Sequence, residues 1–518
     1  MADVPAGPVV APPPRATRRE WIGLAVLALP CVHYAMDLTV LNLAVPHLAR
    51  DLRPTPSQLL WIVDIYGFMV AGFLITMGTL GDRIGRRRLL LLGAGAFAVT
   101  SVVAAFAETT GQLIAARAVL GLSAACLAPS MLSLIRTMFH DAGQRTVAIS
   151  IWVASFSAGG ALGPLIGGLV LEHFWWGAVF LLAVPLVLPL LILGPLLLPE
   201  YRDPAPGRLD IASALLSLLA VLAIILGVKL WAEDGLGGES GWWPLAAILA
   251  GLGVALVFVR RQSRLAKPLI DLTLFRARSF SAALGIAVLG FMVAFGTFLL
   301  VAQHLQLVLG MSPLEAGLWT GPSGLGFVVG SLLAPSLVRR WSRASVMAGG
   351  FLLSALGFLL IALGGEANPP LLLVAGLTVL SLGLAQSATL TTDIVVGTVE
   401  PAQAGAAAAM SETGIELGGA LGIALLGSLT TAIYLGALEP LLPAALPAAV
   451  REAALDGLGP LLVASESLPA ESGAALLALG RGAFTQAFEV GAACGAVLSL
   501  ASALLTLWLL RRVPAAGH

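Results

Sequence analysis

The chain has 518 residues, of which 58% are hydrophobic and only 11% charged, with 28 Lys and Arg against 28 Asp and Glu. Soluble domains carry about 25% charged residues, so this composition leaves too little polar surface for a water-soluble particle and makes lipid the solvent. Zero net charge gives no electrostatic signature for nucleic acid. Cys31, Cys126 and Cys494 sit in apolar runs without metal or redox spacing.

In chain order, a Pro- and Ala-rich start ends in Arg15, Arg18 and Arg19 and runs into an apolar stretch from Trp21. That stretch outlasts a signal-peptide core and lacks a small-residue cleavage site, so it is read as a retained first spanning helix. Stretches of about 20 apolar residues, enough to cross a bilayer, recur at 20–47, 57–80, 88–107, 111–137, 146–171, 176–198, 210–231, 242–260, 280–309, 314–338, 344–364, 370–395, 404–436 and 484–510. The chain is therefore expected to be an all-α membrane protein with fourteen spans. The register of the two spans within 210–260 is the loosest. Residues 437–483, with Pro440, Pro443, Pro447, Pro460 and Pro469, form a long connection in which 444–455 suits a short interfacial helix. It is either a surface loop or a lid over the mouth beneath it.

Lys and Arg orient the stack, because they are retained on the cytoplasmic side. With the N-terminus inside, the cytoplasmic segments collect Arg83, Arg86, Arg87, Arg88, Arg136, Arg145, Arg260, Arg261, Arg339, Arg340, Arg343, Arg511 and Arg512, among others. The opposite side keeps Arg50, Arg53, Arg451 and Arg481, with Lys229 at a helix end. Both termini are then cytoplasmic.

Four acids fall inside spans. Asp37 lies near the middle of the first and Asp64 in the outer half of the second, while Glu412 and Glu416, four residues apart, share one face of the thirteenth. A carboxylate at that depth costs about 2.5–3.5 kcal/mol on insertion scales. Such a group is neutralised by a proton or by a cation, not comfortably by both, and that competition is the minimal chemistry of antiport. Tyr34 precedes Asp37 by one turn, Trp61 precedes Asp64 by one turn, and Tyr66 is close by. Their faces suit quaternary cations, although Trp61 also suits a lipid-interface anchor. Asn42 and Gln303 offer polar contacts, and His33 reads as a packed or hydrogen-bonded residue rather than a proton relay. Arg117, a charge within the fourth span, either snorkels or pairs with a bundle carboxylate.

Gly159, Gly163 and Gly167 recur every four residues around Pro164, giving one face without side chains against which another helix can pack. Between spans two and three stands Gly78-Thr-Leu-Gly-Asp82-Arg83-Ile-Gly85-Arg86-Arg87-Arg88. Its glycines allow a tight turn. Asp82 is placed to cap the next helix or to pair with an Arg across a bundle seam, while the arginines alone would enforce topology.

Together with Met36-Asp37-Leu-Thr39-Val-Leu-Asn42-Leu-Ala44-Val-Pro46 and Arg117-Ala-Val-Leu-Gly121, these motifs resemble the major facilitator superfamily, specifically its fourteen-span drug:proton antiporter branch. Trp61-Ile-Val-Asp64-Ile-Tyr66 is similar to QacA-type quaternary-ammonium exporters. The resemblance covers essentially the whole chain. It implies six-helix bundles over 20–198 and 280–510, inserted helices within 199–279, and tails at 1–19 and 511–518. It implies a cytoplasmic gate at Asp82, Arg83 and Arg86, a proton path through Arg117, and a proton-tight packing face at Gly159, Gly163, Pro164 and Gly167. Substrate binding and proton coupling fall to Asp37, Asp64, Glu412, Glu416, Tyr34, Trp61, Tyr66 and Asn42.

Two departures stand out. Gly330…Arg339-Arg340 is a degraded echo of the basic loop without its Asp, which weakens the case for a matching charged latch in the second half. Where some QacA-type members place an acid in span ten, this chain reads Gly326-Phe327-Val328, so divalent cations should be handled less well than monovalent ones.

The function expected is proton-coupled efflux of lipophilic or quaternary ammonium cations from the bacterial inner membrane, by a protein active as a monomer. The alternative is a dedicated exporter of a neutral or anionic compound whose carboxylates carry protons only. Neither an enzyme nor a cofactor is called for. No Walker-type phosphate loop is present, and the proton gradient, worth about 2.3 kcal/mol per charge per 100 mV, replaces ATP.

Overall fold

The computed structural model describes residues 15–510, apart from 53, 55, 203–209, 235–240, 266–267, 269, 271, 365–369, 400–403 and 444–445. The tails 1–14 and 511–518, and the side chains of Asn42, Asp64 and Pro164, lie outside the described residues.

The helices of the first half are α1 (Arg18–Leu52), α2 (Pro56–Ile84), α3 (Arg86–Ala105), α4 (Thr110–Met138), α5 (Ala142–His173), α6 (Ala178–Leu181) and α7 (Ala183–Leu197). A hairpin follows, α8 (Ile211–Asp234) and α9 (Trp243–Gln262). The second half holds α10 (Arg278–Gln303), α11 (Pro313–Leu337), α12 (Arg343–Leu363), α13 (Leu371–Thr398), α14 (Ala404–Leu438), α15 (Ala448–Asp456), α16 (Leu458–Ser465) and α17 (Ala470–Leu510).

Among the described residues, eleven helices are long and apolar enough to cross a membrane, with α6 and α7 acting as one unit over Ala178–Leu197. The helices α1, α8 and α11 stand at the expected first, seventh and tenth positions but outside that set. The described apolar part of α8 is short, Ala212–Val228, and α1 and α11 interleave polar residues and prolines with their apolar ones.

Local chemistry fixes several starts. Thr109 and Gln112 form a reciprocal capping box on α4, and Ser312 and Glu315 form another on α11, where Pro313 opens the helix. Each satisfies backbone donors that the first turn leaves unpaired.

Glycine decides how the halves pack internally. A Cβ on Gly159 would strike the Val32 carbonyl, and one on Gly167 would strike the Val40 side chain, so these two glycines let α5 lie close against α1. The second half repeats the device: Gly418 abuts the Val288 backbone and Gly422 the Met292 backbone, with Gly414 beside Leu284, seating α14 on α10. The two halves meet where α5 lies on α11 and α2 lies on α14. The inserted hairpin reaches both, since α8 packs against α2 and α14. At its basic end Asp210 accepts from Arg261 Nε at 3.1 Å and Nη2 at 3.0 Å.

Two expectations need correction. The last span, placed at 484–510, begins at Ala470, so Arg481 lies within α17, its Nε donating to the Leu307 carbonyl at 3.2 Å. The 437–483 connection is not a bare surface loop. It folds into α15 and α16, and Val450, Ala454, Leu458 and Leu461 are buried with Leu305, Leu438 and Phe484 of the second half. Tyr434 ties α15 down by donating to the Ala454 carbonyl at 3.1 Å. Cys31 and Cys126 are buried and Cys494 half-buried, all as free thiols.

Candidate functional site

Arg117 is 1% exposed, so its charge must be answered within the protein. Nη1 lies 2.6 Å from Asp37 Oδ2, Nε donates to the Ile62 carbonyl at 3.1 Å, and the guanidinium carbon sits 4.6 Å from the Tyr66 ring centroid. One side chain from α4 thus binds α1 and α2 together. Of the two readings for Arg117, pairing holds and snorkelling does not.

From this strap an aromatic wall runs toward the second half. Tyr34 and Tyr66 have centroids 6.0 Å apart, Tyr34 meets Phe156 edge-on at 5.5 Å, and Phe156 meets Trp152 at 4.8 Å. The Tyr34 hydroxyl donates to Glu416 Oε1 at 3.2 Å, a side-chain bond between α1 and α14 and therefore between the halves. Glu412 sits one turn earlier on the same face of α14. The opposite face of that helix carries Gly414, Gly418 and Gly422 against α10. Glycine on one side and carboxylates on the other is what aims this helix inward.

Among the predicted residues, the structure brings together Asp37, Arg117, Tyr34, Tyr66 and Glu416, with Glu412 adjoining. Trp61 is not part of the group. It is 44% exposed and packs on Phe68, which is buried with Ala71 and Ile225 on the side of α2 that meets α8. Residues 61 and 68 are two helical turns apart, whereas 66 falls on the other face, so Trp61 and Tyr66 point to different sides of α2. His33 is 4% exposed, packs edge-on to Phe97 at 5.2 Å, and has no hydrogen bond at either ring nitrogen among the described residues. It is packed, as expected, but not hydrogen-bonded.

At the basic end, Arg86 is fully buried and its Nε donates to Asp82 Oδ1 at 2.7 Å. Gly85, with φ of 113°, supplies the N-cap of α3. Asp82 is therefore not the N-cap of that helix, and the Arg86 it pairs with belongs to the same loop. The Arg86 backbone N–H donates to the Tyr201 carbonyl at 2.9 Å, and Arg87 Nη1 donates to the Leu198 carbonyl at 2.9 Å. Arg83 is half-buried beside them. This loop is thus fastened to the segment after α7.

A link across the halves at this end is built around Asp393. Asp393 on α13 is fully buried and accepts from Arg343 Nη2 at 2.8 Å, from Thr146 Oγ1 at 3.1 Å and from Arg145 Nε at 3.4 Å. Arg145 and Thr146 belong to α5. Arg136, at the end of α4, donates to the Val399 carbonyl.

Over residues 32–299 and again over 280–447, the chain matches the Major Facilitator Superfamily. It belongs to that superfamily. It is 43% identical over 489 residues to the multidrug efflux pump LfrA of Mycolicibacterium smegmatis, covering 94% of this chain and 96% of the relative. It is 34% identical over 484 residues to the methyl viologen resistance protein SmvA of Salmonella typhimurium, covering 93% and 97%. Among solved structures, the human organic anion transporter MFSD10 (TETRAN) superposes with a TM-score of 0.59 at 16% identity, covering 94% of this chain and 99% of that one. A bacterial homologue of the lysosomal transporter Spinster gives 0.54 at 18% identity, covering 95% and 99%. These structural likenesses speak for the fold.

This major facilitator is a multi-pass membrane transporter, and two features of its site escaped the sequence reading. Asp393 is the one charged residue in the 28-residue α13. Its position near the end of the span made it look like a boundary residue, yet its isolation was the available signal. Trp152 and Phe156, one turn apart on α5, were hidden among many apolar residues. Nothing local distinguishes a ring that packs toward the other half from a lipid-facing one.

Proposed function

We propose that this chain is a proton-coupled multidrug exporter of lipophilic, quaternary-ammonium-type cations, working by alternating access from the bacterial inner membrane. In this reading α1, α8 and α11 also span the bilayer, making fourteen spans, and the arginine-rich end with both termini is cytoplasmic. The similarity to efflux pumps named for multidrug and methyl viologen resistance supports it.

The observation that carries the reading is the Tyr34–Glu416 hydrogen bond between the halves, lined by Tyr66, Phe156 and Trp152. A permanently charged organic cation has no N–H to donate, so aromatic faces and a carboxylate are what can hold it. Binding such a cation takes Glu416 away from Tyr34, and the two halves lose a bond that favours the present arrangement. A proton on Glu412 or Glu416 removes the attraction and lets the cation leave. Protonating Asp37 releases its grip on Arg117 and loosens α1 from α4 and α2. At the cytoplasmic end, entry requires the Asp393 cluster and the Arg136 contact to part, while Asp82 and Arg86 keep the first basic loop rigid.

Ethidium transport by purified protein in liposomes, with an imposed or collapsed pH gradient, tests this. Transport should follow the gradient and be lost in Glu412→Gln/Glu416→Gln. Equal ethidium movement without any gradient, or normal transport by the double variant, rules it out.

A further inference from the structure

His33 lies one turn before Asp37 on α1 and so shares its face. Both side chains line a narrow crevice behind α1, too tight to hold a water and bordered by Met36, Val40, Phe180 and Leu182. Among the described residues, His33 and Asp37 are the only polar side chains lining it. The imidazole is 4% exposed and packs edge-on against Phe97, and among the described residues neither nitrogen has a hydrogen bond. Every protonation state of imidazole has at least one N–H to donate, and buried polar groups almost always find a protein or water partner. An imidazole whose two nitrogens are unanswered among the described residues, beside an apolar crevice whose one other polar group is a carboxylate, is placed to exchange a proton with it and not for packing alone.

We propose that His33 is the proton-transfer partner of Asp37, passing it the coupling proton directly, within the crevice between α1 and α6, when the imidazole turns toward the carboxylate. This rests on the proton-coupled reading above. The step is a simple transfer. The imidazolium N–H bond breaks, an O–H bond forms on Asp37, and neutral imidazole and a neutral carboxylic acid result. The acid no longer holds Arg117 by charge, so the same proton that arrives through His33 undoes the strap across α1, α2 and α4. The charged groups near His33 are Asp37 on its own helix and Arg117 on α4. The α3 and α6 surfaces against it contribute Phe97, Val179 and Phe180, none of them titratable. Imidazole is the side chain whose ordinary titration falls near neutral pH.

The test uses full-length protein in liposomes with a trapped pH dye, measuring proton movement and ethidium transport together from about pH 5.5 to about pH 8.5, a range that brackets ordinary imidazole titration. His33→Phe keeps a ring against Phe97, and His33→Gln keeps a polar side chain. Both should lose the near-neutral limb of the pH profile and cut ethidium-linked proton movement roughly tenfold, about 1.4 kcal/mol in barrier, with ethidium affinity in detergent unchanged. If either variant keeps the wild-type proton movement and pH profile, the proposal is overturned. Asp37→Asn in the same assay separates the two ideas. Normal coupled transport by that variant overturns the parent reading, whereas loss in Asp37→Asn with normal behaviour in the His33 variants overturns only the role of His33.

Discussion

Arg117 and Asp37, 80 residues apart in the chain, form a buried ion pair at 2.6 Å, and the same guanidinium reaches α2 through the Ile62 carbonyl. Neither charge could stay in the interior alone. Breaking a buried pair by removing one partner costs about 3–5 kcal/mol, mainly through the charge left behind.

Arg117→Ala should therefore lower thermal stability in detergent by more than Asp37→Asn, because it also removes the Ile62 bond and the contact with Tyr66. The double variant Asp37→Asn/Arg117→Gln should recover part of that loss without recovering transport. A double variant as unstable as the sum of the singles would show the two residues to be uncoupled.

The Tyr34–Glu416 bond gives a second prediction. A hydrogen bond to a charged group is worth about 1.5–3 kcal/mol. Tyr34→Phe should change the balance between conformations more than it changes cation affinity. Glu416→Gln should weaken ethidium binding about tenfold or more, a difference of about 1.4 kcal/mol. Fluorescence titration of both variants checks this, and equal affinities in wild type and Glu416→Gln would remove Glu416 from the site.

At the basic end, Asp393→Asn leaves Arg145 and Arg343 without the carboxylate between them. The halves should then part more readily there, so cysteines placed on facing ends of α5 and α13 should react faster with a water-soluble thiol reagent and transport should fall. Asp82→Asn should abolish transport with normal expression, because it removes the partner of a fully buried arginine.

Close helix approach predicts a sharp positional contrast. Gly159→Ala places a Cβ into the Val32 carbonyl, whereas the Cβ of Gly160→Ala meets open space. The first should destabilise by about 1–3 kcal/mol, as overpacking does, and the second should be near neutral. Gly422→Ala and Gly427→Ala form the matching pair on α14. Comparable melting temperatures within either pair would remove the packing argument.

Asp210 shows how pH acts on the inserted hairpin. Hydrogen bonding to Arg261 first, and to Ser213, holds its carboxyl down at about 2, against the partial desolvation that opposes this. A carboxyl whose value is lowered on folding adds stability above its unfolded value and loses it as pH falls through the folded one. The pairing is thus at full strength at neutral pH and fades between about 4 and about 2. Asp210→Asn should flatten the acid limb of the melting curve in that window, with little change between pH 6 and pH 5, where the carboxylate is already fully ionised.

Hydropathy and basic loops made most of the helices legible, because solvation by lipid leaves a helix little freedom except in its ends. The spacing of Gly159, Gly163 and Gly167 predicted a close-packed face, and the α5–α1 contact uses Gly159 and Gly167. The few charges inside spans marked Asp37, Arg117, Glu412 and Glu416 as residues needing partners, since an ionised group in hydrocarbon is costly enough to stand out on composition alone.

Which partner each residue takes was decided only by tertiary packing. Sequence could not match Arg117 with Asp37 across 80 residues, set Tyr34 against Glu416 across 382, or turn Trp61 outward while Tyr66 faced inward. The apolar face of a spanning helix is uninformative about its surroundings, because lipid and a neighbouring helix offer it nearly the same solvation. For the same reason Trp152 and Phe156 acquired meaning only once α5 was brought beside Tyr34 of α1.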